Sequence, residues 1–377
     1  MHPTLEIISD DVQRHKATAR LRALCTRSNA PLFVAPDWLD AAWLWQEPET
    51  DLHFAIAAAD GRCVGFAALA GRRDTAFGLP VRTLQFVSVP DTQFADLAAA
   101  PGDEAKFAFA LAEHLLSQRR NWDRLQLRHL CDRYQHWRLL ADALQSAGIS
   151  TSVEPAGINP FIDLSGTFDA YFTARSRSLK KAINLSANRL TRTGAISVEW
   201  VRDGAAVESA LADALRVSAI SWKHDTGNSL DQPGPRAFIE RLTAHASRNG
   251  QLSLWLLRKD GKAIATEYQL IAGGNVYALR SDFDPAFAEA SPGTFLNHRL
   301  LKQLFGVGLE RYYMGPGSNA YKLRWTDVGE PMFQLTATSP TARGRLLQWL
   351  ESSARPAARR LRERLKGAPG KEAEAAT

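Results

Sequence analysis

The chain has 377 residues, of which 45% are apolar and 23% charged, with 10 Trp and 17 Phe. This composition excludes an intrinsically disordered polypeptide, and 25 Gly and 18 Pro without a period exclude collagen-like and low-complexity classes. The formal charge of +6 is localised. Thr341–Thr377 carries nine Lys or Arg against four Glu, and a second cluster of Arg175, Arg177, Lys180, Lys181, Arg189 and Arg192 contains no acid, so the remainder is slightly acidic. Two patches rather than a global field argue against general or specific DNA binding.

No stretch approaches 18 uncharged apolar residues, and the first twenty residues lack an apolar core. Neither a membrane span nor a signal peptide is expected, and the cytoplasm is the expected compartment. Cys25, Cys63 and Cys131 are widely spaced without a C-x-x-C pair, so neither a disulfide framework nor a zinc cluster is indicated, and no metal is expected.

In chain order, LHFAIAAADGRCVGFAALAG (52–71) predicts a hairpin turning at Asp60-Gly61. Pro101-Gly102 precedes a helical pattern, DEAKFAFALAEHLLSQ, which leads into a strand-like segment at 122–130. From Asp169 onward, Tyr171, Phe172, Leu179, Ile183 and Leu190 form one helix-like apolar series, leaving the basic residues on other faces, either as an exposed basic helix or as a clamp for an anionic group. Trp222-Lys223-His224 follows a helix and opens the segment DTGNSLDQPGP, a candidate lid with a stacking plane.

The elements then repeat. LSLWLLRKDGKAIATEYQLIAG (252–273) predicts a second hairpin at Asp260-Gly261, and Pro292-Gly293 opens a helix that leads into a strand at 309–317. Two tandem copies of one fold follow, joined near Gly157–Pro160. The copies differ chemically. Asp103 and Glu104 occupy the first helix start, where they would repel a phosphate, whereas Ser291-Pro292-Gly293-Thr294 offers free N–H groups, a small residue and hydroxyls without an acid. A ligand site is therefore expected in the C-terminal copy. Asp282 and Asp284 end the strand before this turn and are candidate bases. Asp282 ranks first, ahead of Glu267 in the strand AIATEYQLIAG. His298 reads as a packed or solvated helix residue. Of Tyr312 and Tyr313, one is expected to face the core and the other the cleft.

The series SRSLKKAINLSANRL (176–190), ISWKHDTG (220–227), SDFDPAFAEASPGTFL (281–296) and ERYYMGPGSNAYKLRW (310–325), with the Asp260-Gly261 hairpin between the second and third, resembles the GNAT-like acetyltransferases of the CelD/BcsL type, named for a link to cellulose biosynthesis. That group is similar to the FemAB peptidyltransferases. The resemblance implies an α/β (α+β) fold of two tandem GNAT-like domains, each a mixed, twisted sheet flanked by helices. It divides the chain into a degenerate domain at 1–158, an acyltransferase domain at 159–340, and a basic helix with a disordered tail at 341–377.

The implied activity is transfer of an acyl group from acetyl-CoA or another acyl-CoA to a sugar, amine or other small-molecule or glycan-precursor acceptor. In the superfamily the cofactor turn reads Q/R-x-x-G-x-G/A. Here Ser291 stands at the first glycine and Gly293 at the second, with no Gln or Arg upstream in register. Ser291, Gly293 and Thr294 become the pyrophosphate cradle. Tyr321, just after the loop GPGSNA, becomes the general acid, and Lys322 completes the family's Tyr-Lys pair. Arg177, Lys180, Lys181, Trp222, Lys223 and Lys322 become acceptor-binding residues. Two alternatives stay open: a FemAB-like enzyme taking an aminoacyl group from tRNA, and a non-catalytic protein that kept the fold. The basic tail reads as a solvated helix with a disordered end, or as a peripheral anchor on an anionic membrane.

Overall fold

Two Asp-Gly turns organise the molecule. Asp60 and Gly61 have φ of 50° and 74°, and Asp260 and Gly261 have 48° and 80°. A left-handed pair of central residues is the geometry that matches the twist of an antiparallel hairpin, and Asp followed by Gly adopts it at low steric cost.

The computed structural model describes residues 3–192, 194–221 and 228–354. The N-terminal half runs β1 (Thr4–Ile8), α1 (Asp11–Arg27), α2 (Pro36–Trp43), β2 (Asp51–Ala59), β3 (Arg62–Ala76), β4 (Leu79–Phe86), β5 (Ala98–Ala99), α3 (Glu104–Ser117), β6 (Arg124–Cys131), α4 (His136–Ser146) and β7 (Ser150–Asp163). The C-terminal half runs α5 (Phe168–Thr173), α6 (Arg177–Thr191), β8 (Ile196–Val201), α7 (Ala206–Ala219), α8 (Pro233–Arg248), β9 (Leu252–Lys259), β10 (Lys262–Ala272), β11 (Asn275–Phe283), α9 (Pro292–Leu304), β12 (Arg311–Tyr313), α10 (Ala320–Leu323), β13 (Gly329–Thr338) and α11 (Ala342–Trp349).

Among the described residues, thirteen strands form one mixed sheet. Its order is β1-β2-β3-β4-β6-β13-β7-β12-β11-β10-β9-β8, with β5 beside β3. The halves share a pairing pattern. β1 to β4 pair antiparallel in sequence and β4 then pairs parallel with β6. β8 to β11 do the same and β11 pairs parallel with β12. The fold is a mixed α/β sheet flanked by helices in which two copies of one strand arrangement follow in tandem, as the repeat in the sequence predicts.

The halves also exchange their last strands. β7 pairs with β12 of the C-terminal half through Phe161–Asp163, and β13 inserts between β6 and β7. The expected join near Gly157–Pro160 thus lies inside β7, whose Ser150–Pro160 pairs with β13. One apolar core, including Leu21, Phe54, Leu111, Leu140, Leu242 and Tyr277, runs through both halves. A second, including Leu179, Ile183, Trp255 and Leu300, lies on the other face of the C-terminal strands beneath α6 and α9.

The single helix expected from Asp169 is two. α5 ends at Thr173, and the Ser176 hydroxyl accepts from Leu179 N at 3.2 Å to start α6, because a serine oxygen at that position competes with helix continuation and favours a new cap. Trp222, Lys223 and the basic tail beyond Ala354 lie outside the described residues. Among the described residues, no helix is long and apolar enough to cross a membrane.

Candidate active site

The site begins where two parallel strands part. β11 and β12 pair only over Asn275–Tyr277 and Arg311–Tyr313. Beyond them Met314 N donates to Pro160 O at 2.8 Å and Gly317 N to Ile158 O at 2.9 Å, drawing the chain toward β7, while β11 continues along β10. The wedge is braced from the N-terminal half: Gln93 Nε2 donates to Ala278 O at 2.8 Å, and Asn159 Nδ2 donates to Gln93 Oε1 at 3.1 Å. A cavity of about 550 Å³ opens there, lined by residues of both halves.

Glu267 of β10, 3% exposed, forms one wall. The Tyr312 hydroxyl donates a short hydrogen bond to Glu267 Oε1, and Gln269 Nε2 donates to the same oxygen at 2.8 Å. Gln269 is in turn held by Trp255 Nε1, which donates to its Oε1 at 3.1 Å. Strand alternation explains the assembly, since Glu267 and Gln269 share one face of β10. The alternation also separates the tyrosines: Tyr312 faces Glu267, while Tyr313 stacks on Tyr277 on the opposite face at 5.4 Å.

Tyr321 of α10 presents 37% of its surface, but its hydroxyl is enclosed, near Asn297 and Glu267. Burial, reinforced by the Glu267 charge, raises the pKa values of both Tyr321 and Tyr312, so both hold their protons at neutral pH. Asn297, 1% exposed on α9, is a further contact, its Oδ1 lying 3.3 Å from the Tyr312 hydroxyl; its buried Nδ2 has no acceptor among the described residues. Lys322 Nζ donates to Gly315 O at 2.7 Å and Pro316 O at 3.0 Å, and burial lowers its pKa to about 8.

The start of α9 lines the same cavity through Ser291, Gly293 and Thr294. Ser291 takes φ of 51°, Pro292 fills the first helical position, and the first turn has no acid. A Cβ placed on Gly293 would meet nothing within 4 Å, so the backbone here is open to close approach. α6 holds the turn from outside: Ser186 Oγ donates to Ala290 O at 2.5 Å, and Arg189 donates to Glu289 O. The equivalent helix start in the first half is closed by its own acid, since Gly102 N donates to Glu104 Oε2 at 2.8 Å.

The structure therefore brings Tyr321, Lys322, Ser291, Gly293 and Thr294 together. It places Asp282 elsewhere. A bulge at Tyr268/Gln269 sets Ser281 opposite Glu267 and Asp282 opposite Thr266, so Asp282 is buried on the other face of the sheet, and Glu267 occupies the position beside Tyr321. Asp284 caps the turn before α9 by accepting from Ala286 N at 3.0 Å. His298 packs against Phe168 and Phe172, and burial pushes its pKa down to about 4. Arg177, Lys180 and Lys181 do not line the cavity; Lys180 Nζ donates to Thr173 O at 2.7 Å.

Sequence reasoning missed Asn297, whose signal is a polar residue inside the apolar face of Phe295, Leu296, Leu300 and Leu301. It also missed Asp91 and Gln93, which reach the site from the other half. Asp91 accepts from Arg280 Nε at 2.6 Å, with both side chains buried and Trp45 beneath the guanidinium at 4.9 Å.

Residues 177–323 match the family model described as "Acetyltransferase (GNAT) domain". Solved structures share the fold over most of the chain. The C-terminal domain assigned to a lysylphosphatidylglycerol synthetase of Agrobacterium fabrum is 16% identical, with TM-score 0.55, covering 89% of this chain and 97% of its own. FemX is 12% identical, with TM-score 0.53, covering 87% and 96%. L-PGS from Bacillus licheniformis is 12% identical, with TM-score 0.51, covering 89% and 93%. No curated protein matches the chain.

Proposed function

We propose that the protein is an acyl-CoA-dependent acyltransferase acting on an amine or hydroxyl of a small-molecule or glycan-precursor acceptor. The observation that carries this reading is the convergence, on one cavity, of the acid-free first turn of α9 with the buried Tyr321, Tyr312, Glu267 and Asn297 cluster. The match of residues 177–323 to a GNAT acetyltransferase domain supports the reaction class. The resemblance of 176–325 to the CelD/BcsL type supports a polysaccharide or cell-envelope acceptor.

The residues present fit such a co-substrate. At the start of α9 the N–H groups of Ser291, Thr294 and Phe295 are already bonded to Ala288 O and Ser291 O and Pro292 has none, which leaves the Gly293 N–H; with the open space at Gly293 and the Thr294 hydroxyl it suits a phosphate oxygen, and Arg189 adds positive charge beside the turn. When bound, the co-substrate supplies an activated thioester. Glu267 is the carboxylate able to take a proton from the incoming amine or hydroxyl, directly or through Tyr312. Tyr321 Oη holds the proton that a departing thiolate needs. The buried Nδ2 of Asn297 is a donor available to a developing oxyanion. Lys322 offers a cation to an anionic acceptor or phosphate. The Lys- and Arg-rich sequence after Ala354 suits an anionic membrane surface.

The test is titration with acetyl-CoA, longer acyl-CoAs and free CoA by calorimetry and thermal denaturation, followed by thiol release with amine and hydroxyl acceptors. Saturable binding that raises the melting temperature, with acceptor-dependent thiol release, is expected. A folded protein that binds no CoA overturns the reading and makes aminoacyl-tRNA the donor to test.

A further inference from the structure

A second cavity of about 470 Å³ lies at the seam between α1, α2, α8 and the start of β11. It is on the face of the sheet that carries Tyr313 and Tyr277, opposite the face of Tyr312 and Glu267. Its volume is within the range of small-molecule sites and holds far more than a single bridging water.

Its polar groups are incompletely matched. Arg133 donates through Nη1 to the Tyr313 hydroxyl at 2.9 Å and makes no salt bridge with a carboxylate among the described residues. Asn275, 1% exposed, donates through Nδ2 to Gly273 O at 2.7 Å, but its buried Oδ1 receives no hydrogen bond. Trp38, also 1% exposed, has an indole N–H without an acceptor. Buried polar groups are rarely left in this state, because each has given up its hydration without a replacement hydrogen bond. Asp37 does not neutralise Arg133: it is committed to Arg22, which also lines the cavity, at 2.7 Å and to Asn249 at 2.8 Å.

We propose that this cavity is a second ligand site, for a small carboxylate that also carries a hydrogen-bond donor, an amino acid or hydroxy acid. The carboxylate pairs with the remaining N–H groups of Arg133, and the donor answers Asn275 Oδ1, a need that a simple inorganic anion leaves unmet. Asn275 and Tyr277 lie on one strand face, about 6.6 Å apart along β11, so one small molecule spans the two. Tyr277 and Tyr313 form the last rung joining β11 and β12 before the strands part. A ligand on Arg133 therefore bears on the root of the wedge. The proposal is independent of the acyl-transfer reading.

The experiment is calorimetry and thermal denaturation of the full chain with glycine, L-alanine, L-glutamate, L-lysine, L-lactate and L-malate, with ethylamine and phosphate as controls. Saturable binding of at least one carboxylate is expected, with both controls inert. Arg133→Met, and separately Thr26→Trp, which fills the cavity from the exposed side of α1, should each weaken it at least about tenfold, the loss of one charge-assisted pair. Absence of saturable binding by all six carboxylates, tighter binding of phosphate, or unchanged affinity in both variants overturns the proposal. Thr26→Trp keeps the test decisive if Arg133→Met does not fold.

Discussion

Replacing Tyr321 with phenylalanine removes one oxygen and leaves the ring in place. The ring is already 37% exposed, so little packing changes; the loss to the fold is no more than one hydrogen bond of the enclosed hydroxyl. Such a bond contributes about 1 kcal/mol net, which for a chain of this length lowers the melting temperature by about 2 °C. The effect on catalysis is of another order. A positioned general acid contributes roughly 10²–10⁴-fold, equivalent to about 3–5 kcal/mol of barrier. Thiol release at saturating acyl-CoA and acceptor should therefore fall at least about 100-fold, with KM for acyl-CoA changed less than about threefold, because the hydroxyl is assigned to the departing thiolate and not to the phosphates. Burial and the Glu267 charge keep the wild-type hydroxyl protonated through the neutral and mildly alkaline range, so Tyr321 adds no falling limb there. A folded Tyr321→Phe protein with kcat within about threefold of wild type refutes its role as the acid.

The two acids should separate cleanly: Glu267→Gln is expected to lower kcat by about 100-fold or more, and Asp282→Asn, on the opposite face, to leave it within about threefold, as steady-state rates would read. The reverse ranking would reinstate Asp282. Gly293→Asp should fold normally, since its Cβ meets nothing within 4 Å, yet bind acyl-CoA at least about tenfold more weakly through charge repulsion; calorimetry and a melting curve check both halves of the statement. Burial holds the Lys322 pKa near about 8 rather than 10.5, so its charge is present below pH 8 and lost above it. Acyl-CoA affinity should fall as pH rises through 8 in wild type and stay flat in Lys322→Met. Between pH 8 and 10.5 the unfolded chain binds more protons than the folded one, so the Lys322 contribution to stability rises with pH across that window, and flat wild-type affinity from pH 7 to 9.5 would contradict the role. Finally, a fragment starting at residue 159 removes Ser150–Ile158 from the β7–β13 ladder and the whole of β6. It should show no cooperative melting, whereas a well-folded fragment would argue that the exchanged strands are dispensable.

Much of the fold was legible in the sequence because its signals are local. Asp60-Gly61 and Asp260-Gly261 dictate their hairpins through backbone conformations that the two residue types favour, and Pro292-Gly293 starts α9 because proline suits a first helical position. The same locality exposed the repeat and the chemical difference between the two helix starts. The Tyr321-Lys322 pair and the Ser291–Thr294 turn, each readable within a few residues, do meet in one cavity.

What local signals could not decide was everything set by register and by distant chain segments. Asp282 and Glu267 both sit on strands beside the wedge, and only the bulge at Tyr268/Gln269 fixes which carboxylate faces Tyr321, because a shift of one residue turns every later side chain to the other face. The Asn159–Gln93–Ala278 brace, the Arg280–Asp91 pair, and the exchange of β7 and β13 join residues far apart in sequence, and nothing in either segment marks its partner. The amino-acid sequence thus determined the two copies and their elements through short-range backbone preference and hydrophobic period. The tertiary structure decided which polar side chains share the cavity, because strand pairing and the burial of both halves against one core are long-range and cooperative.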